Sequence, residues 1–260
     1  MLNTNAIFFG HWSPMNAIIE NDFSNTWKKL SKEIKKPKAI LAISAHFESN
    51  LNFLTANNSQ DILYDFYWFP KELYDVNFKI KWSEILALEI QKKLKDFEIN
   101  LDYNSKIDHW IWSIYNHFDE NLKDIPLLSL SINSNFSFEK HLELAPKLKE
   151  LKNEWYLIIW SWNFVHNLRQ IDWYNPKNVY PWALEFNNNL KEIIKSWDLQ
   201  KLLEIKNHKY FKLSHPTLDH FIPIIYILAL KEQDEEIVFF NDEIELWNLS
   251  MTSFYTKNKS

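Results

Sequence analysis

Short apolar runs alternate along this chain with longer segments of helical period. Ala6–Phe9, Ala39–Ser44, Leu51–Ala56, Leu127–Ile132, Tyr156–Ser161 and Ile237–Phe240 are brief, dense in aliphatic and aromatic residues, and predicted to be strands. Ser24–Ile34, Ser83–Leu94, Phe138–Leu151, Trp182–Ile194 and Thr217–Leu230 are predicted to be helices, the last with Thr217 as its N-cap after Pro216. This alternation predicts an α/β fold, with a central mainly parallel or mixed sheet flanked by helices. No repeat, low-complexity tract or linker interrupts the pattern, so residues 1–260 are expected to form a single domain with ample length for a core. Strand order cannot be read from the pattern.

Composition narrows the chemistry. The net charge is −5 and Arg169 is the only arginine, so a nucleic-acid surface is not expected. Cysteine is absent, which excludes disulfides, thiolate metal sites and cysteine nucleophiles. A bound metal must therefore be held by His, Asp or Glu. No basic stretch followed by an apolar run opens the chain, and the apolar run around Phe221 to Leu230 is too short to span a bilayer. The expectation is a cytoplasmic protein without membrane contact, a monomer or small homo-oligomer.

Sites in α/β sheets form beyond the carboxyl ends of the strands. His11 follows the first predicted strand by two residues, His46 follows the second by two, and His166 follows Tyr156–Ser161 by five. His220 falls in the first turn of the last predicted helix, and His109 precedes another helical segment. Imidazole is a ligand for zinc or iron, so His11, His46, His166 and His220 are candidate ligands of one divalent metal assembled by the fold. His117, His141, His208 and His215 read as helix-surface or loop histidines. Glu48, Asp65 and Asp108 read as partners that orient a ligand histidine or as solvated loop residues.

The local sequences resemble a known family. Gly10–His11–Trp12–Ser13–Pro14–Met15–Asn16 is similar to the "GHGSPMN" opening of the LigB-like class III extradiol ring-cleavage dioxygenases, nearest to their DOPA 4,5-dioxygenase-like branch. Further matches are Ser44–Ala45–His46–Phe47–Glu48 to "SAHWE", the Asp65–Pro70 stretch to "DFYGFP", and the Asp108–Ser113 stretch to "DHGTWS". Ser161 to Arg169 matches "SGNVVHNLR", Pro216 to Pro223 matches "PTPEHYLP", and Leu249–Ser250–Met251 matches the closing "SLSM". The resemblance runs in order over essentially the whole chain. It implies His11, His46 and His220 as metal ligands, His166 as a fourth ligand or catalytic acid–base, and His109 as a catalytic histidine on the substrate side. It also implies one Zn(2+) or non-haem Fe(2+), a catechol substrate of DOPA type, dioxygen as co-substrate, and a ring-opened semialdehyde as product. A zinc-dependent hydrolase and a catalytically inert metal-binding relative are the alternative readings. Tyr64 stands where the family often has histidine.

Glycine occurs once, at Gly10, where ordinary usage gives roughly 18, and tryptophan occurs 13 times. Trp12, Trp68, Trp110, Trp160 and Trp162 stand where the family pattern has glycine, and Trp82, Trp155, Trp197 and Trp247 fall where glycine is also usual. Trp27, Trp112, Trp173 and Trp182 stand where the family has tryptophan. The codon UGA is read as glycine by some bacteria and as tryptophan in other codes. The expectation is therefore that these nine tryptophans are glycine in the native protein.

Overall fold

The apolar runs assemble into one eight-stranded sheet in a computed structural model, which describes residues 4–57, 61–217 and 221–259. In chain order the strands are β1 (Ala6–Phe9), β2 (Ala39–Ser49), β3 (Phe53–Thr55), β4 (Asn100–Asp102), β5 (Leu127–Asn133), β6 (Tyr156–Ser161), β7 (Glu235–Phe240), β8 (Ile244–Glu245), β9 (Leu249–Ser250) and β10 (Ser253–Asn258). The sheet order is β4-β3-β5-β2-β6-β1-β10-β7, and β8 with β9 forms a separate ribbon. The centre, β5-β2-β6-β1, is parallel. Antiparallel pairings of β3 with β5, β1 with β10 and β10 with β7 make the sheet mixed.

Every residue of β1, β5 and β6 is buried. Continuous apolar runs are what a strand covered on both faces requires. Successive side chains serve opposite cores. Phe8, Leu41 and Ile158 pack with the helices Phe138–Asn153, Pro181–Ser196 and Ile222–Leu230, whereas Ile7, Ile40 and Leu157 pack with Asp22–Glu33 and His109–Tyr115. No described helix is long and apolar enough to cross a membrane.

The expected strands and helices are present, with changed ends. β2 runs on to Ser49, so His46 lies inside it rather than beyond it. The last expected helix begins at Ile222 with Phe221 as a cap that makes no side-chain bond, so Thr217 does not cap it. Pro223 in the first turn explains the late start, since proline is tolerated there and has no N–H to bond backwards. β4, β8, β9 and β10 are not apparent from the periodicity.

Candidate active site

Three histidines are delivered by the ends of the parallel strands. β1 ends at Phe9, and Gly10 crosses the C-terminal segment so closely that a Cβ there would lie 2.4 Å from the Met251 carbonyl oxygen. Only glycine permits that crossing. The Gly10 N–H donates to Ser253 Oγ (2.8 Å), and the next residue, His11, is buried beside Ser161, whose hydroxyl bonds its Nδ1. Asn163 Nδ2 donates to the carbonyls of His11 and Ser250, tying the ends of β1 and β9 together. His46 sits where β2 loses register against β5, between Ile43 and Glu48. A break of this kind bends the strand and re-aims a side chain at its end. His166 is buried in the loop after β6 and held by its N–H to the Ser214 carbonyl (3.0 Å).

His109 begins the helix His109–Tyr115, whose N-cap Asp108 accepts from the N–H groups of Trp110 and Ile111. Burial raises the Asp108 carboxyl above its usual range, against the favourable pull of His46. The helix start brings His109 onto Asp65. Its Nδ1 lies 2.6 Å and its backbone N–H 3.2 Å from Asp65 Oδ1, and His46 Nδ1 lies 3.3 Å from Oδ2. One carboxylate thus bridges two imidazoles through the same ring nitrogen of each. Burial works to raise the Asp65 pKa, but the hydrogen bonds from His109 and then His46 outweigh it and hold the carboxyl well below the usual range. With Nδ1 donating, Nε2 of each ring keeps its lone pair for a metal or a proton.

The ligating atoms of His46, Asp65 and His109 lie within 4.8 Å of one another. His11 is held well below the usual histidine range, first by burial and then by the charges of His46, His109 and His166, so it is a neutral donor. Imidazole nitrogens gathered beside a carboxylate suit a divalent metal, so the donor chemistry fits a metal centre. The space between the rings is not empty. The Trp110 indole lies 3.7 Å from His11, 4.3 Å from His109 and 5.3 Å from His46, centroid to centroid.

Of the histidines singled out by sequence, His46 and His109 meet on Asp65, His11 packs against the Trp110 ring that both of them face, His166 lies within electrostatic reach of His11, and His220 lies outside the described residues. Asp65, expected as an orienting partner or a loop residue, contacts two of them, and Glu48 lines a separate cavity with His215. Two histidines expected at the surface are buried instead. His141 bonds the Tyr226 hydroxyl through Nδ1 (2.5 Å), and His215 Nε2 bonds the Phe164 carbonyl (2.9 Å), so aromatic packing hides both. Ser161 and Asn163, which fix His11, were not anticipated, although both fall in the strand-end segment that carries His166. A cavity of about 550 Å³ lies next to His11 in the chain, lined by Trp12, Met15, Phe69, Leu168, Trp173 and Glu245, among others.

Residues 8–253 match the family model described as the catalytic LigB subunit of aromatic ring-opening dioxygenase. The chain is 33% identical to a 4,5-DOPA dioxygenase extradiol of Escherichia coli K12, over 95% of this chain and 93% of the relative. It is 31% identical to a 4,5-DOPA dioxygenase extradiol of Beta vulgaris, over 84% and 83%. A crystal structure of an uncharacterized Escherichia coli K12 protein superposes with a TM-score of 0.84 at 30% identity, covering 97% of this chain and 99% of that one. The chain belongs to the family of the catalytic LigB subunit of aromatic ring-opening dioxygenases.

Proposed function

We propose that the protein is an extradiol dioxygenase that opens the ring of a DOPA-like catechol. The observation that carries this reading is the Asp65 carboxylate shared by His46 and His109, with His11 packed against the same Trp110 ring that those two histidines face. His11 and His46, with His220, are proposed to hold one divalent metal, Zn(2+) or Fe(2+), and His166 to be a fourth ligand or an acid–base. A metal bound there would supply Lewis acidity toward the two catechol oxygens and a meeting place for dioxygen.

The chain's own residues do the rest. Asp65 fixes the tautomers of His46 and His109, leaving Nε2 of His109 free to take a catechol proton and later return it. Ser161 and Asn163 fix the ring and the backbone of His11. Burial shields the rings of His11, His109 and His166 from water, whereas His46 stays open to solvent and to an incoming substrate. In the overall reaction one ring carbon–carbon bond beside the diol breaks and both atoms of dioxygen enter the product. No external reductant is needed. The aromatic cavity beside Trp12 is proposed to receive the remainder of the catechol. A cytoplasmic location and a monomer or small homo-oligomer complete the proposal.

The test is anaerobic loading with Fe(II), then oxygen uptake with a panel of catechols. Uptake coupled to a coloured ring-opened semialdehyde is expected. Ester or amide hydrolysis by the zinc-loaded protein, with no uptake for any catechol, would overturn the reading in favour of a hydrolase.

A further inference from the structure

We infer that positions 12, 68, 82, 110, 155, 160, 162, 197 and 247, written as tryptophan, are glycine in the protein its own cell makes, and that glycine at 110 opens the space between His11, His46 and His109. The second half rests on the dioxygenase reading. The first half rests on the backbone at four of the nine positions and on the family pattern at the rest.

Among the described residues, seven that are not glycine have positive φ, and four of them are Trp68 (68°), Trp155 (66°), Trp197 (53°) and Trp247 (75°). Tryptophan is 13 of 260 residues, so chance would place fewer than one there. All four belong to the nine. Trp27, Trp112, Trp173 and Trp182 do not appear in that region. A left-handed backbone penalises any residue with a Cβ, a bulky one most, and glycine not at all.

The places where these residues sit are glycine positions for identifiable reasons. Trp155 follows the C-cap of the helix Phe138–Asn153, with its N–H turned back to the Lys152 carbonyl at 3.2 Å. Trp197 is the left-handed cap of the helix Pro181–Ser196, with its N–H on the Ile194 carbonyl at 3.0 Å. Glycine ends helices in this way because it takes the conformation without strain. Trp68 is 100% exposed, so its indole gains no packing to offset the strained backbone. Trp247 stands in the turn between β8 and β9 with its indole N–H buried and unbonded.

The indole of Trp110 has a buried N–H without a partner and is pressed against three candidate site histidines. A protein rarely leaves such a donor unmet. Trp27 shares that mark, so the unbonded indole alone does not sort the two sets. Trp110 differs in place: its ring fills the volume that a metal and a diol would need. Trp160 is wholly buried within β6, Trp162 just beyond it, and Trp12 is next to His11. Trp82 carries no structural mark and is included by the family pattern alone. The fold does need glycine near its site, as Gly10 shows.

One decoding difference accounts for all nine: UGA read as glycine in the cell and as tryptophan on paper. Sequencing the gene is expected to give TGA at the nine positions and TGG at 27, 112, 173 and 182. Peptide mass spectrometry of the protein purified from its own cells is expected to give glycine at the nine. TGG, or tryptophan in the peptide, at 110 or 155 overturns the inference. A chain carrying the nine glycines is expected to melt higher than the tryptophan chain and to bind one equivalent of zinc where the tryptophan chain binds at least tenfold more weakly. Equal melting and equal zinc affinity overturn the structural claim. Glycine in the peptides with no oxygen uptake supports the decoding and defeats the dioxygenase reading, whereas tryptophan in the peptides with uptake does the reverse.

Discussion

Replacing Asp65 with asparagine tests the carboxylate bridge at atomic detail. Oδ1 accepts from both the backbone N–H and Nδ1 of His109, whereas Oδ2 faces only His46 Nδ1 at 3.3 Å. In Asp65→Asn the oxygen stays with the two His109 donors and the NH₂ group replaces Oδ2. That NH₂ donates, so His46 Nδ1 must become the acceptor and its proton must move to Nε2, the nitrogen proposed to hold the metal. The hydrogen bond between His46 and Asp65 is long and the carboxylate is about a fifth exposed, so the penalty belongs at the lower end for a charged hydrogen bond, about 2 kcal/mol. That corresponds to roughly a 30-fold weaker metal affinity, inside the range of about 10- to 100-fold seen when a partner of a ligand histidine is removed. The assay is competitive zinc titration against a chelator at pH 7.5, with ¹⁵N shifts of the metal-free protein to report the His46 tautomer. An affinity within twofold of the parent would refute the bridge. A loss beyond about 10⁴-fold, with the tautomer unchanged, would make Asp65 a ligand instead.

Two further outcomes separate the site from its surroundings. His46→Ala is expected to weaken zinc binding at least 100-fold, whereas His141→Gln, which keeps a partner for Tyr226, is expected to retain full metal content; equal metal in both would defeat the site assignment. His141 also sets a pH dependence, because burial lowers its pKa from 6.5 to about 4. Below pH 6.5 the unfolded chain takes up a proton that the folded one refuses, so stability falls with acid until about pH 4. From pH 7.5 to 5 the parent is expected to lose about 2 kcal/mol more than His141→Gln in urea unfolding. Parallel loss in the two proteins would show that His141 does not titrate this way.

What the sequence discloses about this fold follows what local physics can encode. β1, β5 and β6 are covered on both faces, so an unbroken apolar run marks each of them. β10 lies inside the sheet, between β1 and β7, yet reads S-F-Y-T-K-N. Ser253 and Thr256 are fully buried there, and Ser253 is polar for a reason: its hydroxyl accepts from the Gly10 N–H and donates to the Met251 carbonyl. A residue that serves the backbone of another segment cannot announce a strand by its hydropathy.

The same division runs through the site. His11 and His166 are legible because each follows the end of an apolar run, where an α/β sheet opens. Asp65 lies in irregular chain 44 residues from His109, and nothing local separates it from Glu48 or Asp108. Its importance comes from touching two imidazoles at once, a property of the folded state alone. The tryptophans reverse this order. Their excess is visible in composition and the family pattern sorts them, and the backbone adds an independent mark, since four of the nine take positive φ and none of the other four does. Composition raises the question over the whole chain, and positive dihedral angles bring it to four particular residues. An indole at a helix end in a glycine conformation, and another sharing a volume with three histidines, are the two places where replacing tryptophan by glycine relieves the most strain.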